Sequence, residues 1–141
     1  MGALLKRMQE PPIDNIRIVQ HDALEVIEHN LAPASLDGIH IFFPDPWPKP
    51  REQRRRLMRP DVVQELARVL KPGGVLRLAT DIEDYWRKSI TVVAANASFD
   101  DPEFSRPDWR IETVFERRGI NEGRQSVDIC WVRNSEQKLL S

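Results

Sequence analysis

The chain has 141 residues and a mass of 16.4 kDa, which is the size of one folded domain. Its 21 basic and 22 acidic residues give a formal net charge of −1, which excludes attraction to nucleic acid or membranes through overall charge. The single cysteine, Cys130, excludes an intramolecular disulfide and a cysteine zinc cluster, and no apolar run approaches membrane-spanning length. These features predict a cytoplasmic protein without a bound metal.

The first third of the chain predicts two helices and two strands. Residues 2–9 predict a short helix that ends before a Pro-Pro pair. Residues 15–20, NIRIVQ, have isoleucines in a period of two and predict a strand. Asp22 can cap the helix predicted for residues 23–31, and residues 39–43, IHIFF, are apolar enough for a strand buried on both faces.

The rest of the chain continues this alternation and then changes character. Helices are predicted at residues 61–70, with Pro60 in the first turn, and at residues 82–97. Strands are predicted at residues 75–81, 109–116 and 127–133. The last two have no predicted helix between them and should form an antiparallel pair. The predicted fold class is α/β, a doubly wound, mostly parallel sheet with a C-terminal antiparallel strand pair, in a single domain over residues 1–141.

An acidic residue follows each of three predicted strands: Asp22, Asp45 and Asp81. Ligands of open α/β sheets bind beyond the carboxyl ends of the parallel strands, so these three acids are predicted to converge on one rim. For Asp22 and Asp81 the alternative is that each caps the helix that follows it.

A proline-rich loop, PDPWPKP, directly follows the apolar strand at residues 39–43. Each of its prolines fixes φ and lacks a hydrogen-bond donor, so the loop can join neither a sheet nor a helix interior. We predict a stiff segment that presents Asp45 together with Trp47, whose ring offers a flat face to a base. The alternative, a PxxP ligand for an aromatic groove, is weaker because the loop is not part of a free tail.

A run of basic residues follows the loop and contains one acid, Glu52. The basic residues are Lys49, Arg51, Arg54, Arg55, Arg56 and Arg59. Guanidinium groups bind phosphate oxygens well, so the run predicts contact with a nucleic-acid backbone. The alternative is a solvated helix face, which the predominance of one charge sign and the adjacent aromatic residue disfavour.

Four motifs occur in the order FFPDPWPK, LARVLKPGG, ATD and TVFERRG, with the arginine-rich stretch after the first. Together they resemble the bacterial tRNA (guanine-N7-)-methyltransferase family over about residues 2–133. The resemblance implies the seven-stranded, doubly wound fold of S-adenosylmethionine-dependent methyltransferases. It also implies methyl transfer to a guanine in the tRNA variable loop, so the implied cofactor is S-adenosyl-L-methionine and the implied partner is tRNA.

The resemblance also implies roles for individual residues. Asp22 matches the family's acid beside the cofactor adenine, and Asp45 matches the active-site acid at the junction of methyl donor and guanine. The implied substrate-binding residues are Lys49, Asp81, Thr113, Val114, Phe115 and Glu116. The implied RNA-binding residues are Arg51, Arg54, Arg55 and Arg56. Pro50 stands where the family often has a basic residue. The alternative for Thr113 and Phe115 is that both are residues of an ordinary strand.

The implied reaction requires few catalytic groups from the protein. Guanine N7 carries a lone pair and no proton, so no strong general base is needed, and positioning governs the displacement. The purine gains positive charge as the methyl group arrives, which a carboxylate can stabilise. We expect Asp45 to do this, with Asp81 as the second candidate, while Glu116 and Thr113 hold the base edge.

The family's glycine-rich cofactor turn is absent, because none of the six glycines forms G-x-G. The resemblance therefore implies a partial domain without the first two strands and first helix. In the family's sheet order those strands lie between residues 15–20 and 39–43. We expect either that residues 15–20 slide over to pair with residues 39–43, or that the chain is a fragment that needs a partner. We also expect weak or absent cofactor binding by this chain alone.

Two alternatives stay open beside the tRNA-modifying enzyme, one non-catalytic and one a weaker enzymatic one. A non-catalytic RNA-binding fragment would keep the basic run and lose cofactor binding. A small-molecule methyltransferase is disfavoured, because its substrate would give the arginines at 54–56 nothing to bind.

Overall fold

A four-stranded mixed sheet organises the part of the chain that this computed structural model describes, which is residues 14–135 together with Ala3, Lys6 and Gln9. The helix predicted at residues 2–9 therefore lies mostly outside the described residues. The strands are β1 (Leu36–Phe42), β2 (Leu70–Thr80), β3 (Glu103–Phe104) and β4 (Val127–Val132). Their spatial order is β1-β2-β4-β3, with β1 and β2 parallel and β4 antiparallel to both of its neighbours.

Four helices are described, and a short 3₁₀ helix precedes the second of them. They are α1 (Ala23–Asn30), the 3₁₀ helix (Pro50–Arg55), α2 (Pro60–Val69), α3 (Glu83–Ala94) and α4 (Val114–Asn121). The first three α-helices confirm the predictions for these segments to within three residues at each end. Asp22 caps α1 as predicted, since its Oδ1 accepts a hydrogen bond of 3.2 Å from the backbone N–H of Glu25.

The hydrophobic core lies between one face of the sheet and helices α2 and α3. Along β2 the side chains alternate, so that Leu76 and Leu78 are both buried on this face. The other large buried side chains of the core include Val62, Val63, Leu66, Tyr85, Ile129 and Trp131. Burying one aliphatic side chain of this size contributes about 1.5–3 kcal/mol. The core therefore fixes β2, whose carboxyl end is at Thr80.

The strand predicted at residues 15–20 does not form in the structure. These residues make no ladder with any described strand, and Ile16 and Val19 are 43% and 64% exposed. A strand needs a partner for its backbone groups and a surface for its apolar side chains, and the described chain supplies neither to this segment. Residues 15–20 therefore do not slide over to pair with β1.

Strand β1 forms where residues 39–43 predict a strand, but the expectation that it is buried on both faces is wrong. Ile41 is its only buried residue, and Phe42 is 37% exposed. Among the described strands β1 pairs with β2 alone, so one of its edges is open. An apolar strand is buried on both faces only when helices cover both faces of its sheet.

The strand predicted at residues 109–116 is also wrong, because helix α4 begins inside that range. The T-x-x-E spacing of Thr113 and Glu116 starts the helix: the Thr113 Oγ1 accepts a hydrogen bond of 3.0 Å from the Glu116 N–H. The antiparallel pairing near the C-terminus is present, but β4 makes it with β2 and β3.

Candidate active site

An open pocket of about 300 Å³ lies where the parallel strands β1 and β2 end, which is where open α/β sheets bind ligands. Three segments supply its walls: the residues after β1, the residues after β2, and one face of α4 with the turn that follows. The lining residues are Phe43, Pro44, Asp45, Pro46, Thr80, Asp81, Ile82, Phe115, Arg118 and Arg124. Asp45, Asp81 and Phe115, which the sequence predicts for one site, are thus brought together.

The loop that carries Asp45 has an unusual backbone. Phe43 and Trp47, on either side of it, have φ values of +49° and +41°, which bulky L-residues rarely adopt. A hydrogen bond of 2.7 Å from the Phe43 N–H to the Ala79 carbonyl ties the start of the loop to β2. Strained backbone persists where the surroundings impose it, so the loop holds Asp45 at the pocket in a set conformation.

Arg56 holds this loop in place through buried contacts, so its side chain is not exposed for contact with RNA. Its side chain is only 5% exposed, and its Nε donates a hydrogen bond of 2.8 Å to the Pro46 carbonyl. Its Nη2 donates to the Asp84 carboxylate at 2.8 Å, and its guanidinium lies 5.0 Å from the Tyr85 ring centroid. The hydrogen bond from Arg56 lowers the pKa of Asp84. The predicted RNA contact of Arg56 is therefore wrong for this structure, where Arg56 is a structural residue.

The other predicted RNA-binding residues lie beside the pocket and do not line it. Lys49, Arg51, Arg54 and Arg55 are all exposed, on or next to the 3₁₀ helix. The Arg55 guanidinium lies 5.1 Å from the Trp47 ring centroid, so the basic run is in contact with the Asp45 loop. The arrangement leaves a cationic surface adjoining the pocket.

Asp81 packs against helix α4 and does not cap α3. The N-cap of α3 is Ile82, whose N–H donates to the Thr80 Oγ1 at 3.2 Å, while Asp81 accepts a hydrogen bond of 2.8 Å from the Arg124 Nε. A Cβ at Gly119 would lie 2.1 Å from the Asp81 Oδ2. A larger residue at position 119 would therefore force the Asp81 carboxylate to move.

Glu116 is buried in an ion-pair network, which does not leave its carboxylate free to read a base edge. Its side chain is 1% exposed, and Arg110 donates to both of its oxygens at 3.0 Å. Arg106 and Ser126 also donate to it. Burial raises the pKa of Glu116, but hydrogen bonds from Arg110, Arg106 and Ser126 outweigh burial and bring the pKa to about 2.

Arg110 connects this network to the strand that leads to Asp45. Its guanidinium also binds the Asp128 carboxylate, with a hydrogen bond of 2.6 Å from Nη2 to Oδ1. The same guanidinium lies 5.8 Å from the ring centroids of both Phe42 and Phe43. The network therefore braces the end of β1 against α4 and β4.

The remaining predicted residues are placed as follows. Thr113 caps α4, Val114 is 75% exposed and lies off the pocket, and Phe115 is 64% exposed and lines it. Asp22 and Lys49 do not line the pocket either. Within the described residues no group of histidine, cysteine, aspartate or glutamate side chains could hold a metal ion. None of the helices in that part of the chain has the length and apolar character of a membrane span.

The sequence predictions assigned no site role to Arg124 and placed Arg118 only at the end of a motif. Both line the pocket. The RRG sequence after Glu116 is a signal for Arg118, because it puts a cation one helical turn beyond Phe115. No local signal marks Arg124, since its partner Asp81 is 43 residues away in sequence.

A family model described as "Putative methyltransferase" matches residues 1–129, which is most of the chain. The chain belongs to this methyltransferase family. The similarity to the bacterial tRNA (guanine-N7-)-methyltransferases is confirmed by curated relatives of that name. The chain is 47% identical to a tRNA (guanine-N(7)-)-methyltransferase from Burkholderia cenocepacia (strain HI2424) over 139 residues, and 50% identical to one from Paracidovorax citrulli (strain AAC00-1) over 136 residues.

These alignments cover 96% and 94% of this chain but 54% and 55% of the relatives. The chain thus spans about half the length of the curated relatives it matches. Solved structures of methyltransferases share the fold of this chain. A precorrin-6y C5,15-methyltransferase from Geobacter metallireducens GS-15 matches with a TM-score of 0.57 and 14% identity, covering 95% of this chain and 61% of that chain. A SAM-dependent methyltransferase from Archaeoglobus fulgidus matches with a TM-score of 0.52 and 14% identity, covering 94% and 81%.

Proposed function

We propose that this protein acts in the transfer of a methyl group from S-adenosyl-L-methionine to N7 of a guanine in the variable loop of tRNA. One observation carries the proposal: Asp45, Asp81 and Phe115 line one pocket at the carboxyl ends of β1 and β2, in a chain that is 47% identical to a curated tRNA (guanine-N(7)-)-methyltransferase. We further propose that the protein works in the cytoplasm, where its single cysteine stays reduced.

The pocket residues suit a purine that becomes cationic. Phe115 offers an exposed aromatic face to the base, and Asp45 and Asp81 provide carboxylates close to it. S-adenosyl-L-methionine, when bound, supplies a methyl group on a positively charged sulfur. Asp45 stabilises the charge that develops on the purine, while the stiff backbone around it fixes its position.

The described residues fit the cofactor only in part. Asp45 suits a cationic sulfur because a carboxylate is complementary to it. Asp22, however, does not line the pocket, and the described glycines include no glycine-rich turn for the rest of the cofactor. We therefore propose that this chain alone binds the cofactor weakly. Calorimetric titration giving a micromolar dissociation constant would contradict this part of the proposal.

We propose that the exposed cations of the basic run hold the tRNA backbone while a base enters the pocket. Arg51, Arg54 and Arg55 adjoin the Asp45 loop and are open to solvent. Glu116 has a different task in this proposal. Together with Arg110 it positions α4 and thereby Phe115, because its carboxylate is already bound within the protein.

Methyl transfer from a radiolabelled donor to unmodified tRNA tests the proposal. We expect incorporation into tRNA to be lost in Asp45→Asn and kept in Asp101→Asn, an exposed carboxylate away from the pocket. Transfer that persists in Asp45→Asn would contradict the role of Asp45. If the unaltered chain binds tRNA and transfers no methyl group, the alternative holds: an RNA-binding fragment without catalysis, which the partial fit of the described residues to the cofactor favours.

A further inference from the structure

Arg118 is the pocket arginine whose side chain has no partner among the described residues. Its side chain is exposed, lines the pocket, and forms no hydrogen bond or ion pair with any residue that the structure describes. Arg124, the other arginine of the pocket, is paired with Asp81 at 2.8 Å and also bound by Glu122. In this pocket the Arg124 guanidinium is therefore bound by protein carboxylates, and the Arg118 guanidinium is available to a ligand.

Helix α4 places Arg118 beside the aromatic surface of the pocket. Arg118 follows Phe115 by three residues, and side chains at this spacing are neighbours on a helix surface. Both side chains line the pocket that Asp45 and Asp81 also line. The pocket thus combines the exposed Phe115 ring with the carboxylates of Asp45 and Asp81 and with the Arg118 guanidinium.

This pattern of charge matches a nucleotide better than a free base. The two carboxylates suit a base that gains positive charge, but they repel the phosphates that a nucleotide in RNA carries. A cation within the same pocket removes this conflict, and an arginine can bind a phosphate group through two parallel hydrogen bonds. Arg118 is the residue placed to do so.

We propose that Arg118 binds a phosphate group adjoining the nucleotide whose base lies against Phe115. The inference rests on the proposed function and names the phosphate contact of the same site. Arg118 thereby favours a purine nucleotide within a nucleic acid, which has this phosphate group, over a free nucleoside, which lacks it.

The helix itself supplies a matched control. Arg117 is the adjacent arginine on α4 and is also exposed to solvent, but it does not line the pocket and pairs with Glu112 at 2.7 Å. Arg117→Gln and Arg118→Gln therefore make the same chemical change one residue apart. Both replaced side chains are exposed, so both variants should unfold at the temperature of the unaltered protein.

The test measures binding of three probes to the full chain by NMR titration: guanosine 3′,5′-bisphosphate, adenosine 3′,5′-bisphosphate and guanosine. We expect Arg118→Gln to weaken binding of both bisphosphates about tenfold and to leave guanosine unchanged, since one charge-assisted hydrogen-bonded pair is lost. Arg118→Lys should recover part of the loss, and Arg117→Gln should bind all three probes as the unaltered chain does.

The outcomes separate this inference from the proposed function. Equal binding of the bisphosphates by Arg118→Gln and the unaltered chain overturns the inference, as does an equal loss of guanosine binding or no bisphosphate binding at all. If both bisphosphates bind equally well and both depend on Arg118, the phosphate contact stands. The guanine selectivity that the proposed function requires would then be refuted.

Discussion

The guanidinium of Arg56 donates a hydrogen bond of 2.8 Å to the carbonyl of Pro46, the residue that follows Asp45. This contact reverses the expected role of an arginine in a basic run. Arg56 points inward, with its side chain 5% exposed, and holds the loop whose backbone is strained at Phe43 and Trp47. The conformation of the pocket wall therefore depends on a residue that does not line the pocket.

Replacing Arg56 should destabilise the protein and release the loop. We expect Arg56→Gln to lower the free energy of unfolding by about 1–3 kcal/mol, because Asp84 and the Pro46 carbonyl lose a buried donor. Urea unfolding measures this. Arg54→Gln, an exposed arginine two residues away, should change stability by less than about 0.5 kcal/mol. Equal stabilities of the two variants would contradict the assignment.

The effect of Gly119→Ala on the free energy of unfolding should change sign when Asp81 is replaced as well. Gly119→Ala normally stabilises a helix by about 1 kcal/mol, but here the new methyl group would meet the Asp81 carboxylate, so we expect destabilisation. In an Asp81→Ala background the obstacle is gone, and the same substitution should stabilise. Unfolding free energies of the four proteins measure the coupling. An identical effect of Gly119→Ala in both backgrounds would exclude this contact.

The buried Glu116 carboxylate should make stability sensitive to acid. Its pKa in the folded protein, about 2, lies below its ordinary value of 4.5, so the stabilisation is fully present above pH 4.5 and is lost as pH falls toward 2. Glu116→Gln should lower stability at neutral pH by about 3 kcal/mol and make the decline between pH 4.5 and 2 shallower. Thermal unfolding across this range measures both effects.

The control for that experiment is Glu112→Gln, which alters an exposed carboxylate close to the same helix. It should leave the acid dependence of stability as it is in the unaltered protein. If the decline in stability between pH 4.5 and 2 were the same in Glu116→Gln as in the unaltered protein, the network around Arg110 would contribute nothing to folding.

The salt dependence of tRNA affinity should distinguish variants of the exposed arginines from a variant of Arg56. If Arg51 and Arg54 contact phosphates, each glutamine variant should reduce the slope of log affinity for tRNA against log salt concentration by about 1. Arg56→Gln, assayed where it is folded, should keep the slope of the unaltered chain because the side chain is buried. Filter binding of tRNA between low and moderate salt measures this, and a lower slope in Arg56→Gln alone would reverse the assignment.

Local patterns were sufficient to predict most of the helices and the position of the pocket. Asp22 and Pro60 mark helix starts through interactions within one turn. Of the three acids predicted to converge on one rim, Asp45 and Asp81 line the pocket and Asp22 does not. Helix α4 was also within reach, because T-V-F-E has the spacing of a capping box. Its β-branched and aromatic residues favour a strand, but the capping interaction of Thr113 begins a helix instead.

Long-range pairings account for what sequence patterns could not predict. Whether residues 15–20 form a strand depends on a neighbour to pair with, and no local feature of those residues reports one. Arg56 and Arg54 look alike in sequence, yet only Arg56 reaches a carboxylate, Asp84, on α3. The inward position of Glu116 depends on arginines six and ten residues away in sequence and on Ser126 before β4.

The open edge of β1 has a dynamic consequence for Asp45, which follows this strand by three residues. A strand with one neighbour opens at a lower free energy than a central strand, so amide protons of β1 should exchange faster than those of β2. We expect each opening of β1 to move Asp45 away from the other pocket residues. By linkage, any chain that docked along this edge would increase the fraction of time for which the pocket is assembled.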